Sequence, residues 1–149
     1  MKTPRDLVVA ACLAVGLALG SATEASAALR QYYSGWTYYS ARGYYYRTHY
    51  YKPEPEYLGY RHQYCIHYTT QPRYLYFFDP EERAYWGRFD TRGAPGAQYS
   101  VLAEEDRREK LTDIPETAFP PPGPIPLIPG AVDGAQMEMP KDLPKRPGT

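Results

Sequence analysis

Four Tyr-Tyr pairs recur every six residues, at Tyr32-Tyr33, Tyr38-Tyr39, Tyr44-Tyr45 and Tyr50-Tyr51. Six is a multiple of the two-residue strand period, whereas it turns a helix by about 600° and leaves no shared face. The register therefore favours an extended chain with Tyr32, Tyr38, Tyr44 and Tyr50 on one face and their neighbours on the other. All 17 tyrosines fall between residues 32 and 99, so the aromatic surface is concentrated in one part of the protein.

The segments around that block differ in character. Residues 1–27 read as an export signal: Lys2 and Arg5 form a basic start, Leu7 to Leu19 an apolar run, and Ala25-Ser26-Ala27 a small-residue cleavage site. Thirteen residues are too few to span a bilayer, which needs about 20. Val9-Ala10-Ala11-Cys12 resembles a lipoprotein box, but the apolar run continues past Cys12, so cleavage after Ala27 is the expectation. The mature chain is then exported, with no transmembrane anchor after signal cleavage, to the periplasm, the cell envelope or the outside. Without the signal, basic and acidic residues balance at 15 each, which argues against nucleic acid as a partner. Cys65 is the one cysteine left, so no internal disulfide can form, and its expected state is a half-buried thiol.

Residues 28–56 are a low-complexity, Tyr-rich stretch with no Leu, Ile or Val after Leu29, closed by Lys52-Pro53-Glu54-Pro55-Glu56. High β propensity with little aliphatic mass predicts a weakly ordered arm. Residues 57–112 can fold. Tyr60, His62, Tyr64, Ile66 and Tyr68 alternate with Arg61, Gln63, Cys65, His67 and Thr69, which predicts a half-buried strand. Tyr57, Tyr60, Tyr64 and Tyr68 also fit helical spacing, but Gly59 and the aromatic content favour the strand. A second strand is predicted over Arg73 to Phe78, a turn at Asp79-Pro80-Glu81-Glu82, and a third strand over Ala84 to Phe89. After the Gly93-Ala94-Pro95-Gly96 connection, Ser100 is expected to cap a helix running to about Leu111, with Glu104–Arg108 and Asp106–Lys110 ion pairs. Residues 113–149 hold 10 of the 16 prolines and predict an irregular, polyproline-like tail, disordered from Pro140. The fold expected is mainly β with an α+β element: a small antiparallel meander plus one short helix, with the tail wrapping the sheet.

Two resemblances follow from particular runs. Tyr85-Trp86-Gly87-Arg88, Tyr99 to Arg107, Ile114-Pro115-Glu116 and the Pro-Gly-Pro tail resemble a group of small exported bacterial proteins with no assigned activity, across Gly43 to Gly130. That resemblance implies export and architecture only. Arg73 to Asp79 followed by Trp86 resembles the middle of a WW domain, a binder of proline-rich peptides. The Asp79-to-Trp86 spacing is one residue short of that family's, and its first-strand Trp and closing Pro are missing, which reads as convergence of aromatic hairpins.

Chemistry is sparse. Cys65 and His67 share a strand face and are the one pair placed for nucleophilic catalysis, but no motif surrounds them. The same two residues, joined by His49, lack the paired spacing of a metal site. Glu81-Glu82 and Glu104-Glu105-Asp106 read as a turn and a solvated face. Gly87, Gly93 and Gly96 form no phosphate-cradling loop. No catalytic residue, metal or cofactor is therefore expected. What remains is tyrosine, a flat apolar ring with a polar tip that suits recognition. Trp86, Tyr74, Tyr76 and Phe119 are the candidate binding residues, expected to meet where the tail contacts the sheet. The chain reads as a non-enzymatic structural or interaction protein that self-associates through residues 28–56, or alternatively as a small module that binds glycans or proline-rich peptides.

Overall fold

A computed structural model describes residues 30–145. The expected signal peptide at 1–27, the start of the arm and residues 146–149 lie outside the described residues. The chain forms one antiparallel, seven-stranded sheet. Its strands are β1 (Gln31–Tyr33), β2 (Thr37–Tyr39), β3 (Tyr44–Tyr51), β4 (Arg61–Tyr68), β5 (Tyr74–Asp79), β6 (Ala84–Ala94) and β7 (Ala97–Val101). β1 and β2 lie end to end along β3, and β3 to β7 follow in chain order.

The meander expected from Tyr57 onward is present, with strands close to the predicted bounds. Asp79 Oδ1 accepts the Glu81 and Glu82 amide protons at 2.8 and 3.4 Å, which closes the β5–β6 hairpin as its sequence implies. The Tyr-rich stretch, however, is part of the same sheet rather than an arm beside it. β3 pairs with β4 along its whole length, from Tyr44↔Tyr68 to Tyr51↔Arg61. Its missing aliphatic mass is replaced by tyrosine rings that pack on β4 and on one another.

The six-residue register is broken once. Tyr33 pairs with His49 and Thr37 with Tyr46, so Ser34, Gly35 and Trp36 oppose only Arg47 and Thr48. This bulge turns the next segment over. Tyr32 stacks on Tyr50 on one face (4.9 Å), while Tyr38 packs on Tyr45 on the other (4.8 Å). Tyr39, not Tyr38, joins Tyr44 on the first face. The kinked backbone stays paired because Ser34 N–H donates to Thr48 O and Thr48 N–H to Ser34 Oγ, both at 2.8 Å.

The helix expected from Ser100 to Leu111 does not form. Ser100 belongs to β7, opposite Arg88, and its hydroxyl donates to Pro120 O (2.7 Å). Leu102 N–H donates to Trp86 O (2.8 Å) and Tyr85 N–H donates to Arg108 O (2.9 Å), so the chain follows β6 in an extended path. Between Leu102 and Leu111 there is no apolar stripe to hold a helix on the sheet. Three single 3-10 turns, Glu104–Asp106, Leu111–Asp113 and Glu116–Ala118, supply the helical structure instead.

Segments of the chain pack on both faces of the sheet. On the first, Ile66, Tyr76 and Tyr85 pack with Leu102 and Ile114 from the segment after β7. On the second, Cys65, Leu75, Phe77, Trp86, Phe89 and Tyr99 pack with Ile128 and Met137 of the proline-rich tail. The tail crosses between faces at the β7 edge, where Tyr99 and Gly123 exchange two backbone hydrogen bonds of 3.1 and 2.6 Å. It therefore wraps the sheet, as expected. It also stays in place beyond Pro140: Arg47 Nη1 donates to Lys141 O (2.7 Å) and Trp36 Nε1 to Asp142 O (2.9 Å).

Candidate functional site

The first face is covered only in part. Beside the 3-10 segment it leaves a groove of about 470 Å³, within the ~300–1,000 Å³ range of small-ligand clefts. β2 and β3 supply Tyr39, Tyr44 and Tyr46; β4 supplies Tyr64, Ile66 and Tyr68; Phe78 and Tyr85 form the far wall. Alternation along β3 and β4 aims these rings at one face, and the Tyr44↔Tyr68 register sets them against each other. Tyr44–Tyr68 and Tyr46–Tyr64 meet edge to face at 5.3 and 6.0 Å. Such contacts hold each ring in place. At the base, the Tyr68 and Tyr85 hydroxyls share a 2.6 Å hydrogen bond. Burial pushes the Tyr85 phenol well above its ordinary value, and raises that of Tyr44, so both stay protonated donors. Arg42, Glu109 and Lys110 form the charged rim.

Of the four residues expected to meet, three do. Tyr74, Tyr76 and Phe119 surround Arg88, whose guanidinium carbon lies 3.9 Å from the Tyr74 ring centroid and 4.0 Å from that of Phe119. Tyr76 meets both rings at 6.1 Å. Arg88 Nη2 donates to Glu116 at 2.6 Å, and this bond holds the Glu116 carboxyl below its usual range. The cluster is a clasp that fastens the 3-10 segment to the sheet. Trp86 lies apart from it on the second face. A bulge sets Phe77 opposite Gly87 and Phe78 opposite Tyr85, so Trp86 is the extra residue and stacks on Phe77 (5.0 Å). Gly87 is required at that bulge, because a Cβ there would lie 2.7 Å from Ser100 O.

Beneath the tail, a hydrogen-bonded relay links side chains from four strands, β6, β4, β3 and β1. Trp86 Nε1 donates to Gln63 Oε1 (2.7 Å), Gln63 Nε2 to His49 Nδ1 (3.0 Å) and His49 Nε2 to Gln31 Oε1 (2.9 Å). Gln31 Nε2 then donates to Gln136 O, and its Oε1 also accepts the Glu138 amide proton. The direction of donation fixes His49 as the neutral tautomer protonated at Nε2. Burial, with a smaller push from Arg47, lowers its pKa to about 4.

The Cys65–His67 pair shares the second face, as expected, but Cys65 is fully buried rather than half-buried, and burial pushes its thiol up to about 12. His67 Nε2 donates to Pro72 O instead. A sealed, protonated thiol is a poor nucleophile. His49 spends both ring nitrogens on glutamines, and among the described residues no three His, Cys, Asp or Glu side chains gather as a metal site would require. The groove's own residues escaped sequence reasoning because their signal is split. β4 displays Tyr64 and Tyr68 in its alternation, but Tyr39, Tyr44 and Tyr46 join them only through β3.

The geometry defines an antiparallel β domain, wrapped by its own tail, that keeps one aromatic groove open. No family model, curated protein or solved structure matches the chain.

Proposed function

We propose that this is a non-enzymatic, exported binding protein of the cell envelope whose tyrosine groove takes a glycan. The observation that carries the reading is the groove itself, an open cleft whose walls are tyrosines held edge to face. Tyrosine faces stack on the C–H faces of sugar rings, and phenolic hydroxyls answer the ring hydroxyls. A proline-rich ligand is less well supported, because the chain's own proline-rich tail already occupies the second face. Self-association is a second reading with an observation of its own. β1 and β2 form an outer strand edge where Tyr32, Tyr38 and Tyr39 are 46%, 48% and 43% exposed.

Retention on insoluble polysaccharide, combined with light scattering, separates the two. The mature chain is expected to be retained as a monomer, and Tyr46→Ala or Tyr64→Ala to weaken retention about tenfold, the value of one lost ring contact. Retention unchanged in both variants, or mass that rises with protein concentration and falls in the outer-edge variant Tyr32→Lys, Tyr38→Lys, sinks the glycan reading.

A further inference from the structure

We infer that the groove selects an acidic saccharide, a uronate-bearing glycan, and that Arg42 and Lys110 recognise its carboxylate. The inference rests on the glycan reading above and narrows it. Three charged residues line the groove, and they are not equivalent. Glu109 Oε1 is held at 2.8 Å by Arg83, so its charge is already matched. Arg42 and Lys110 have no acidic partner among the described residues, and both are exposed at the rim. The Arg42 charge also reaches the walls: burial raises the Tyr44 and Tyr85 phenols, and Arg42 opposes that rise at both. Paired anion and unpaired cations leave the mouth of an apolar cleft positive.

That pattern fits one kind of ring. A pyranose stacked on the groove tyrosines projects its exocyclic carbon sideways, toward the rim. When that carbon is a carboxylate, a guanidinium can take both oxygens and an ammonium can add a third donor. A neutral sugar at the same place would leave both cations in water and gain nothing from them. The two cations thus supply discrimination, and the tyrosines supply most of the contact area.

Calorimetric titration of the mature chain with galacturonate and mannuronate oligomers, against the methyl esters of the same oligomers, tests this. Polyglutamate serves as a sugar-free polyanion. Binding of one acid oligomer about tenfold tighter than its ester is expected, as one charge-assisted hydrogen bond provides. The double variant Arg42→Gln, Lys110→Gln should bring that ratio to about one by weakening the acid oligomer to the level of its ester. Both positions are exposed, and an unchanged near-ultraviolet circular dichroism spectrum verifies the fold. Equal binding of acid and ester overturns the acidic inference and leaves the glycan reading standing. Binding of neither form overturns both. Polyglutamate binding as tight as the uronates, insensitive to Tyr46→Ala, would mean bare charge attraction and also overturns the inference.

Discussion

His49 sits where its charged form has no favourable place. Tyr33 and Tyr51 stack against the ring at 4.5 and 5.6 Å, Gln31 and Gln63 occupy its two nitrogens, and Arg47 is the cation nearby. A proton added at Nδ1 would face the Gln63 amide donor and break the relay. The folded pKa of about 4 lies below the ordinary value of 6.5. Between those values the unfolded chain binds a proton that the folded chain refuses. Stability is therefore complete above pH 6.5 and falls as the pH drops toward 4, by about 3 kcal/mol over the window. Urea denaturation at pH 7, 5.5 and 4.5 measures this slope. His49→Leu should flatten it and cost about 2 kcal/mol at pH 7, since Gln63 loses its acceptor. An unchanged slope in that variant would assign the pH dependence elsewhere.

The element scale is governed by two bulges, and they mark where sequence reading stops. β4, β5, β6 and the Asp79 turn were legible because alternation and turn chemistry are local signals. Residues 100–111 misled for the same reason: a Ser cap and i,i+4 charges are also local, and they lose to the Arg88–Ser100 ladder, which is not. β3 was missed because its burial depends on a neighbour. The placement of Tyr38 and Trp86 was missed because one extra residue in a strand reverses a face and leaves no trace in composition. The bulge at 34–36 gives a direct test. Gly35 has open space around it and contributes no side chain, and removing it leaves two residues opposite Arg47 and Thr48. Deletion of Gly35 is expected to preserve every strand pair and lower the thermal midpoint by no more than about 5 °C. Deletion of Gln63, inside the continuous β4, should slip the register and abolish the cooperative transition. Equal damage from both would show that the bulge, rather than the pairing, holds β1 and β2.

At the scale of the molecule, the sheet is sandwiched between two stretches of its own chain. Ile128 and Met137 close the second face at 1% and 3% exposure, and Ile114 and Leu102 seal part of the first. The tail thus completes the core of a sheet that has no disulfide and no long helix among its described residues. Residues 119–129 should resist proteolysis in the native state, despite lacking regular structure. Ile128→Ala should cost about 3 kcal/mol by leaving a cavity over Cys65 and Phe77, and should speed cleavage of that segment in proportion. Rapid cleavage there in the unaltered protein would mean that the tail lies loosely on the sheet.

The relay from Trp86 to Gln136 has a kinetic corollary. Its middle members come from hairpins that can assemble early, but its last link joins residues 105 apart in sequence. The Tyr33 hydroxyl and Glu138 carbonyl span the same separation. Chain closure over such a distance is slow, so docking of the tail should be a distinct late step on the ms–s scale typical of non-local β topologies. Until it occurs, the aromatic second face is open to solvent, and newly made molecules pass through a brief period in which they are prone to aggregate.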